Sequence, residues 1–444
     1  MGILWTSPMR RARTEKRPHI LLAPSCALAA LCVSLGTYAV AAEQVDVQAI
    51  AALLEDARAH NPEIRAADAR YQAMRRRPIQ ERTLPDPTVG ALYHNEDFDR
   101  LTLGESEFSF FEFSAEQEVP FPGKLGLRGD IAGSEAEREG AMRDETVLMV
   151  LAKVAATYAE LAVVDRSTDI LDESIATLEL MVEQAGESYG VGTATQADVL
   201  RAELERGALR ERLTMLAQKR TAAEAGINAL LARPADESVA RGVLPDAPPP
   251  LDSLEGWARR VEDQAPAVRA AREDVLKSQL ALKLAEREYL PDFTFMGAYT
   301  NKSRLLPEWE LGMRIRVPLY FWRRQRAGVT EAAYAQTAAE HSQRNVRVTL
   351  QGRLRELHSM AEAGLRLVDL YHDTLIPQAS LTFESTRASY AVGRVDFLTM
   401  LSAFSALLEY RVRYAETMGS LYRARAEIGP LVGETPLEWW GESR

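Results

Sequence analysis

The sequence predicts a mainly α-helical protein that carries two β-hairpins and is built from two copies of one plan. Apolar residues repeat at steps of three and four over stretches of about sixty residues, which indicates very long helices. Two short segments in each half alternate apolar and polar residues, which is typical of strands. Four sequence patterns occur twice in the same order, which indicates an internal duplication.

Composition excludes several classes of protein. Of the 444 residues, 46% are hydrophobic and 26% are charged, the balance of an ordered protein. The formal net charge of −11 argues against a nucleic-acid partner. Beyond residue 42, no run of eighteen uncharged apolar residues occurs, so the sequence does not indicate a multi-span helical transporter.

Residues 1–41 have the pattern of a secretory signal peptide. Basic residues between Arg10 and Arg17 precede an apolar stretch, and Ala39–Ala41 is a small-x-small cleavage site. Both cysteines, Cys26 and Cys32, lie in this segment, and neither follows a lipobox. An exported mature chain without cysteine is more typical of a bacterial periplasm or outer membrane than of a disulfide-stabilised secreted domain.

The duplication divides the mature chain into two repeats. Each pattern returns after 198 to 206 residues. The paired segments are Asn61–Ala66 with Ala265–Ala270, Leu84–Thr88 with Leu290–Thr294, Val119–Phe121 with Val317–Leu319, and Ser188–Gly192 with Ser389–Gly393. We predict a first repeat over 42–232, a proline-rich linker over 233–252, a second repeat over 253–430 and a tail over 431–444.

Each repeat is predicted to contain a helix, a hairpin and two long helices, in that order. The first helix covers about 62–82 in one repeat and 266–289 in the other, and both end at a proline. The hairpins cover about 86–118 and 291–318. The long helices follow at about 125–188 and 195–231, then at about 324–389 and 395–428. Sixty residues of helix span roughly 90 Å.

The four strands are too few to form a membrane barrel within one chain. Open strand edges are not tolerated in hydrocarbon, and single-chain bacterial barrels need at least eight strands. Several copies must therefore share one wall, and three copies supply twelve strands. In that arrangement the charged faces of the strands line a wet lumen and Trp309 faces lipid. The predicted lumen residues are Glu112, Glu116, Arg314 and Arg316.

These features together resemble the TolC-like outer-membrane efflux factors. The resemblance covers nearly all of the mature chain and rests on the duplicated element order and on two Tyr-x-x-Gly turns, Tyr189–Gly192 and Tyr390–Gly393. The segment Gln117–Lys124, preceded by Pro85-Asp86-Pro87, is similar to the heavy-metal branch of that family. Members of that branch are the outer-membrane partners of cation-exporting pumps of the RND class.

The resemblance implies a homotrimer in the outer membrane of a Gram-negative bacterium. It implies a 12-stranded β-barrel continued by a long periplasmic α-helical barrel. Such a protein is a passive exit duct with neither catalytic residues nor a cofactor. Its implied partners are a periplasmic adaptor, an inner-membrane RND-type pump and outer-membrane lipid.

The resemblance also implies a periplasmic gate next to the two turns. Its candidates by position are Asp198, Tyr390 and Arg394, because a carboxylate and an arginine form directional bonds that a partner can replace. The family's acidic ring falls on Thr399 and Ser402 in this chain, which makes Asp396 the nearest carboxylate. The candidates for adaptor contact at the helix tips are Tyr189, Gly190, Gly192 and Gly393.

Some alternatives stay open at this point. A multidrug efflux or type I secretion duct has the same fold, and a soluble periplasmic coiled-coil scaffold accounts for the helices but not for the hairpins. No metal-ligand spacing or nucleophile–base pair indicates an enzyme. Trp439 and Trp440 are either interfacial anchors or a cap on the helical tube.

Overall fold

The computed structural model describes residues 48–440, with the exception of residues 97, 104 and 193. The predicted signal peptide, residues 1–41, lies outside the described residues. The first repeat contains α1 (48–60), α2 (Pro62–Met74), α3 (Arg77–Arg82), β1 (Thr88–His94), β2 (Phe110–Val119), α4 (Lys124–Gly190) and α5 (Gln196–Leu231). The second contains α6 (Leu254–Gln264), α7 (Pro266–Arg287), β3 (Asp292–Asn301), β4 (Glu308–Arg316), α8 (Arg324–Leu370), α9 (Ile376–Ala391) and α10 (Phe397–Val432).

The predicted element order is confirmed, and three helix predictions are corrected. The helix predicted over 62–82 breaks at residues 75–76, where a turn separates α2 from α3. The helix predicted over 324–389 contains a π-helical turn, Tyr371–Leu375, before α9. Pro377 follows that turn, and a proline in a helix removes one backbone hydrogen bond and crowds the preceding turn. Finally, α10 continues through Pro430 to Val432 and does not end at about 428.

The four strands form one antiparallel sheet in the order β1-β2-β3-β4. The central pair, β2 and β3, joins the two repeats, with Val119 opposite Phe293. In this sheet β1 and β4 are the two edge strands, and neither edge is paired with another described strand. A sheet of this kind leaves two rows of backbone donors and acceptors open.

A buried lysine fastens the sheet to the helices where the two repeats meet. Lys124, the first residue of α4, is 1% exposed and donates from Nζ to Asp292 Oδ1 at 2.9 Å and to the Leu290 carbonyl at 3.0 Å. Its ammonium also lies 3.3 Å from Glu288 Oε2. Asp292 Oδ1 accepts a second bond, from the Phe121 backbone N–H at 2.9 Å. We call this group the internal clasp.

The helices pack around apolar clusters, and one of these contains the two tryptophans near the end of the chain. Trp439 and Trp440 are 3% and 2% exposed. Trp440 lies 4.7 Å from Tyr422 on α10 and 5.6 Å from Tyr158 on α4, measured between ring centroids. The segment therefore closes the helical body, and of the two interpretations that the sequence left open, the structure supports the cap.

The proline-rich linker packs closely along α4. The Gly242 backbone N–H donates to Asp165 Oδ2 at 2.9 Å, and Arg241 donates to Asp169 Oδ1 at 2.7 Å. A side chain at Gly242 would lie 2.6 Å from the backbone nitrogen of Ala162, which explains why a glycine occupies this position. These contacts hold the linker against α4 of the first repeat.

Candidate functional site

One face of the sheet carries the charged residues that the sequence predicts to line a lumen. Glu112 and Glu116 lie on β2, and Arg314 and Arg316 lie on β4. The strand register puts all four on the same face. Residues that lie directly opposite each other share a face, and Glu116 is opposite Met296, which in turn is opposite Gly312 on β4. Every second residue along a strand returns to that face, so Glu112, Arg314 and Arg316 lie on it as well. The prediction of one shared charged face is therefore consistent with the register.

Ion pairs cross this face at the helix-proximal end of the sheet. Arg314 Nη2 lies 3.5 Å from Glu116 Oε1, and Arg316 Nη1 lies 3.1 Å from Glu118 Oε1. The sequence analysis did not identify Glu118 as a lumen residue, although Glu118 continues the alternation of polar and apolar residues in β2 that identified Glu116. Glu112 has no ion pair among the described residues and lies opposite Leu92 and Thr300.

The opposite face of the sheet is apolar and exposed. Trp309, Leu311 and Phe113 are 72%, 78% and 55% exposed. An exposed apolar sheet face of this size is a surface for lipid or for another protein, since soluble proteins rarely leave such a patch uncovered. The two faces therefore separate water-compatible side chains from lipid-compatible ones.

The two predicted turns lie between paired long helices, far along the chain from the strands. Gly192 and Gly393 have φ angles of 81° and 71°, a conformation that favours glycine and ends α4 and α9. Each glycine donates its N–H to the carbonyl of the turn tyrosine, at 3.0 Å from Gly192 to Tyr189 and at 2.9 Å from Gly393 to Tyr390. The two turns are thus built alike. Tyr189 is 50% exposed, and Gly190 ends α4.

Both predicted gate carboxylates cap the helices that leave the turns. Asp198 Oδ2 accepts from the Thr195 backbone N–H at 3.0 Å and from the Thr195 hydroxyl at 2.8 Å, which forms a capping box at the start of α5. Asp396 is the N-cap of α10 and accepts from the Thr399 backbone N–H at 2.9 Å and from the Thr399 hydroxyl. Within the subunit, these contacts make Asp198 and Asp396 capping residues of α5 and α10.

The electrostatics of the second turn involve a residue that sequence reasoning missed. The hydrogen bonds from the side chain and backbone of Thr399 lower the pKa of Asp396, and Arg201 on α5 lowers it further through its charge. Arg201 lies one helical turn after Asp198, and that spacing was the available signal. The positive charge of Arg201 thus favours the ionised form of Asp396.

The structure does not join the four gate candidates within one subunit. Arg394 forms no ion pair with any described carboxylate, and only its backbone N–H is bonded, to the Ser389 carbonyl at 2.9 Å. The Tyr390 ring packs edge-on against Phe397 at 5.7 Å, and its hydroxyl is buried without a hydrogen-bond partner among the described residues. Among the described residues, the Arg394 guanidinium and the Tyr390 hydroxyl therefore both lack a hydrogen-bond partner.

Comparisons with known proteins agree with this arrangement. The model of the outer membrane efflux protein family matches residues 53–233 and 257–434, which is most of the chain. The chain therefore belongs to that family, whose members are outer-membrane proteins. The duplicated helix–hairpin–helix–helix order is accordingly that of an efflux channel subunit.

Particular relatives come from several bacteria. The chain is 20% identical over 361 residues to the cobalt-zinc-cadmium resistance protein CzcC of Cupriavidus metallidurans, covering 80% of this chain and 82% of that protein. Its fold is similar to that of CusC, with a TM-score of 0.74, 14% identity and coverage of 87% and 92% of the two chains. It is also similar to the outer membrane protein VceC of Vibrio cholerae, with a TM-score of 0.73, 16% identity and coverage of 87% and 96%.

Proposed function

We propose that this protein is the outer-membrane exit duct of a tripartite efflux system and that three copies form one channel. In this proposal the substrate moves passively through the duct, and the energy comes from an inner-membrane RND-type pump reached through a periplasmic adaptor. Neither a catalytic residue nor a cofactor takes part. The proposal extends the family assignment to an assembly, a direction of transport and a class of substrate.

One observation carries the proposal: a two-faced sheet of four strands with both edges open. Its charged face and its apolar face match water on one side and lipid on the other. The open edges of β1 and β4 need partners inside a membrane, and further copies of the same chain provide them by cyclic symmetry. Three copies supply twelve strands, which exceeds the minimum for a bacterial barrel.

The helices support a duct that extends beyond the membrane. α4 has 67 residues, which corresponds to about 100 Å at the rise of an α-helix. That length exceeds the thickness of any bilayer severalfold. We propose that the turns at Tyr189–Gly192 and Tyr390–Gly393 form the periplasmic end and that their tips contact the adaptor.

We propose that the gate forms between subunits and not within one. Arg394 has no ionic partner among the described residues of its own subunit, and the caps at Asp198 and Asp396 leave carboxylate lone pairs available to a neighbour. A surface pair of this type is weak, about 0.2–1 kcal/mol, and an adaptor can therefore displace it. Three symmetry-related pairs together hold the end of the duct closed.

Conductance of purified trimers in planar bilayers tests the gate. Loss of three pairs of about 0.2–1 kcal/mol each raises the ratio of open to closed channels roughly 3-fold to 160-fold, so Arg394→Ala and Asp198→Ala should both increase conductance. Glu187→Ala is the matched control, because Glu187 is an exposed carboxylate at the first turn without an ion pair among the described residues. Unchanged conductance in both gate variants would remove these residues from the gate.

For the substrate we propose divalent transition-metal cations. The support is the similarity to the cobalt-zinc-cadmium resistance protein, together with the segment Gln117–Lys124. Among the described residues, no cluster of three or more His, Cys, Asp or Glu side chains is arranged to hold a metal ion. A cation that only passes through a duct requires no resident site.

Deletion of the gene tests the substrate. We expect the deletion strain to become sensitive to cobalt, zinc or cadmium salts and to recover when the wild-type gene is supplied. Sensitivity to dyes and detergents without sensitivity to metals would instead indicate a multidrug pump as the partner. Loss of a secreted protein from the medium would indicate a type I secretion duct.

A further inference from the structure

The two hairpins have the same register, and this gives a rule for relating the repeats. Adding 206 to a residue of β1 and 198 to a residue of β2 converts each pair of the first hairpin into a pair of the second. Thr88 opposite Glu116 becomes Thr294 opposite Arg314, which the structure contains. The duplication therefore extends from the sequence to the backbone pairing.

The same rule applies to the seam between the repeats. Inside the subunit, β2 pairs with β3, and Val119 is opposite Phe293. In a closed ring the equivalent seam joins β4 of one subunit to β1 of the next, and the rule gives Val317 opposite Pro87. It then puts Arg316 opposite Thr88, so that the charged faces of the two subunits are continuous. Both offsets are even, so the rule keeps each residue on its own face, whereas a seam shifted by one residue would reverse the faces.

The internal seam is closed by the internal clasp, and the chain carries the corresponding residues at its two open edges. Asp292 is the first residue of β3 and ends the sequence Leu-Pro-Asp, and its equivalent just before β1 is Asp86. Lys124 is the first residue of α4, and the first residue of α8 is Arg324. The connection that leads into α8 is two residues longer, so the two residues correspond by their place at the start of the helix and not by the offset of 198, which gives Trp322. One edge of the subunit thus has an acid and the other has a base.

Both of these edge residues lack a side-chain partner in the part of the subunit that the structure describes. Asp86 and Arg324 are exposed, and neither forms a hydrogen bond from its side chain or an ion pair with any described residue. Their counterparts, Asp292 and Lys124, are bonded to each other at 2.9 Å. An acid and a base are therefore paired inside the subunit, whereas the equivalent acid and base at its two edges are not paired with any described residue.

We propose that Asp86 of one subunit pairs with Arg324 of its neighbour and that this pair, repeated three times, closes the ring where the sheet meets the helices. The partner is a second copy of this chain, and the inference rests on the proposed trimer. It adds the register of the subunit seam and the residues that fasten it.

The inter-subunit clasp has one carboxylate fewer than the internal clasp. The repeat-1 equivalent of Glu288 is Arg82, and Arg82 is bound to Asp130 of its own subunit at 2.7 Å. Asp86 therefore holds its partner without a second acid at that position. The clasp at the subunit seam therefore has fewer ionic contacts than the internal clasp.

Charge reversal in the full-length protein tests the pair. Trimers purified in mild detergent are heated, and the temperature at which they dissociate is read by native electrophoresis. Asp86→Arg and Arg324→Asp should each lower this temperature by about 5 °C or more, because each leaves like charges facing at three seams. The double variant should recover most of the loss, and additive losses in it would overturn the pairing. Asp236→Arg, an exposed acid in the linker, is the control that should change nothing.

Cysteine cross-linking tests the register separately. Directly opposite residues approach within disulfide range, whereas diagonal neighbours do not. Thr88→Cys with Arg316→Cys should form disulfide-linked subunits, and Thr88→Cys with Arg314→Cys should not. The reverse pattern would overturn the register. A wild-type protein that forms no trimer would refute the proposed function, whereas a conducting trimer without coupling at these sites would refute this inference alone.

Discussion

Removal of the carboxylate from the internal clasp should destabilise the protein strongly. In Asp292→Ala the Lys124 ammonium, 1% exposed, loses its bond of 2.9 Å and keeps only Glu288 and the Leu290 carbonyl. The Phe121 backbone N–H loses its acceptor as well. Loss of one partner from a buried ion pair costs about 3–5 kcal/mol, and the remaining contacts of Lys124 favour the lower end, about 3 kcal/mol.

Removal of the lysine should cost less than removal of the acid. In Lys124→Met a thioether side chain of similar length fills the space, and Asp292, whose side chain is 16% exposed, keeps the Phe121 N–H and some contact with water. We expect a loss of about 1–2 kcal/mol. This asymmetry follows from the different burial of the two partners.

Urea titration of the purified protein in detergent measures both losses as free energies of unfolding. Asp130→Ala is the control, because Asp130 forms a bond of 2.7 Å to Arg82 but both side chains are about half exposed, which predicts a loss below about 1 kcal/mol. The reasoning fails if Asp292→Ala costs no more than Asp130→Ala. It also fails if Lys124→Met costs more than Asp292→Ala.

Three further predictions concern the helical body and the tip. Trp440→Ala should cost about 3–5 kcal/mol in the same titration, since the ring is 2% exposed; an unchanged midpoint would show that the segment does not cap the body. Gly242→Ala should cost about 1–3 kcal/mol because its Cβ would meet the backbone of Ala162 at 2.6 Å, whereas Gly207→Ala, in open space on α5, should gain up to about 1 kcal/mol; equal effects would contradict this. The pKa of Asp396 is lowered in the folded protein, so its contribution is present above the ordinary pKa of aspartate and is lost as the pH falls through the lowered value. The stability difference between wild type and Asp396→Ala should therefore be present at pH 7 and disappear in acid, and a difference that does not change with pH would exclude the carboxylate as its source.

The elements that the sequence predicts well are those with a strong periodicity. Alternation along Glu112–Glu116 and Arg314–Arg316 predicted the charged face, because successive side chains of a strand point to opposite sides. The absence of proline from α4 and the repeated Tyr-x-x-Gly turns predicted a single long helix that ends at a glycine. Period and chain-breaking residues act locally and can therefore be recognised in the sequence.

The features that the sequence did not predict depend on tertiary contacts. A proline normally ends a helix, but α10 continues past Pro430 because Ile428 and Val432 are both fully buried in the core. Whether Trp440 lies at a membrane or in a core depends on Tyr158, some 280 residues earlier in the chain. The partners of Lys124 likewise come from the other repeat, and no pattern in the sequence near Lys124 predicts them.

The gate could be predicted only by position. The sequence predicted that Asp198 and Asp396 form hydrogen bonds or ion pairs at the gate. Both carboxylates do accept hydrogen bonds, but within the subunit their partners are the threonines at the starts of their own helices. Any partner across a subunit boundary depends on an assembly that one chain does not contain. The candidates at the turns therefore remain predictions for the conductance measurements.

The central claim is that several copies of this chain share one wall in the outer membrane. Native mass spectrometry of the mature protein, extracted from purified outer membranes, tests it most directly. A species of three subunits that conducts ions when reconstituted is the predicted result. A single subunit that is stably inserted in those membranes would contradict the account, because its β1 and β4 edges would then lie open in lipid.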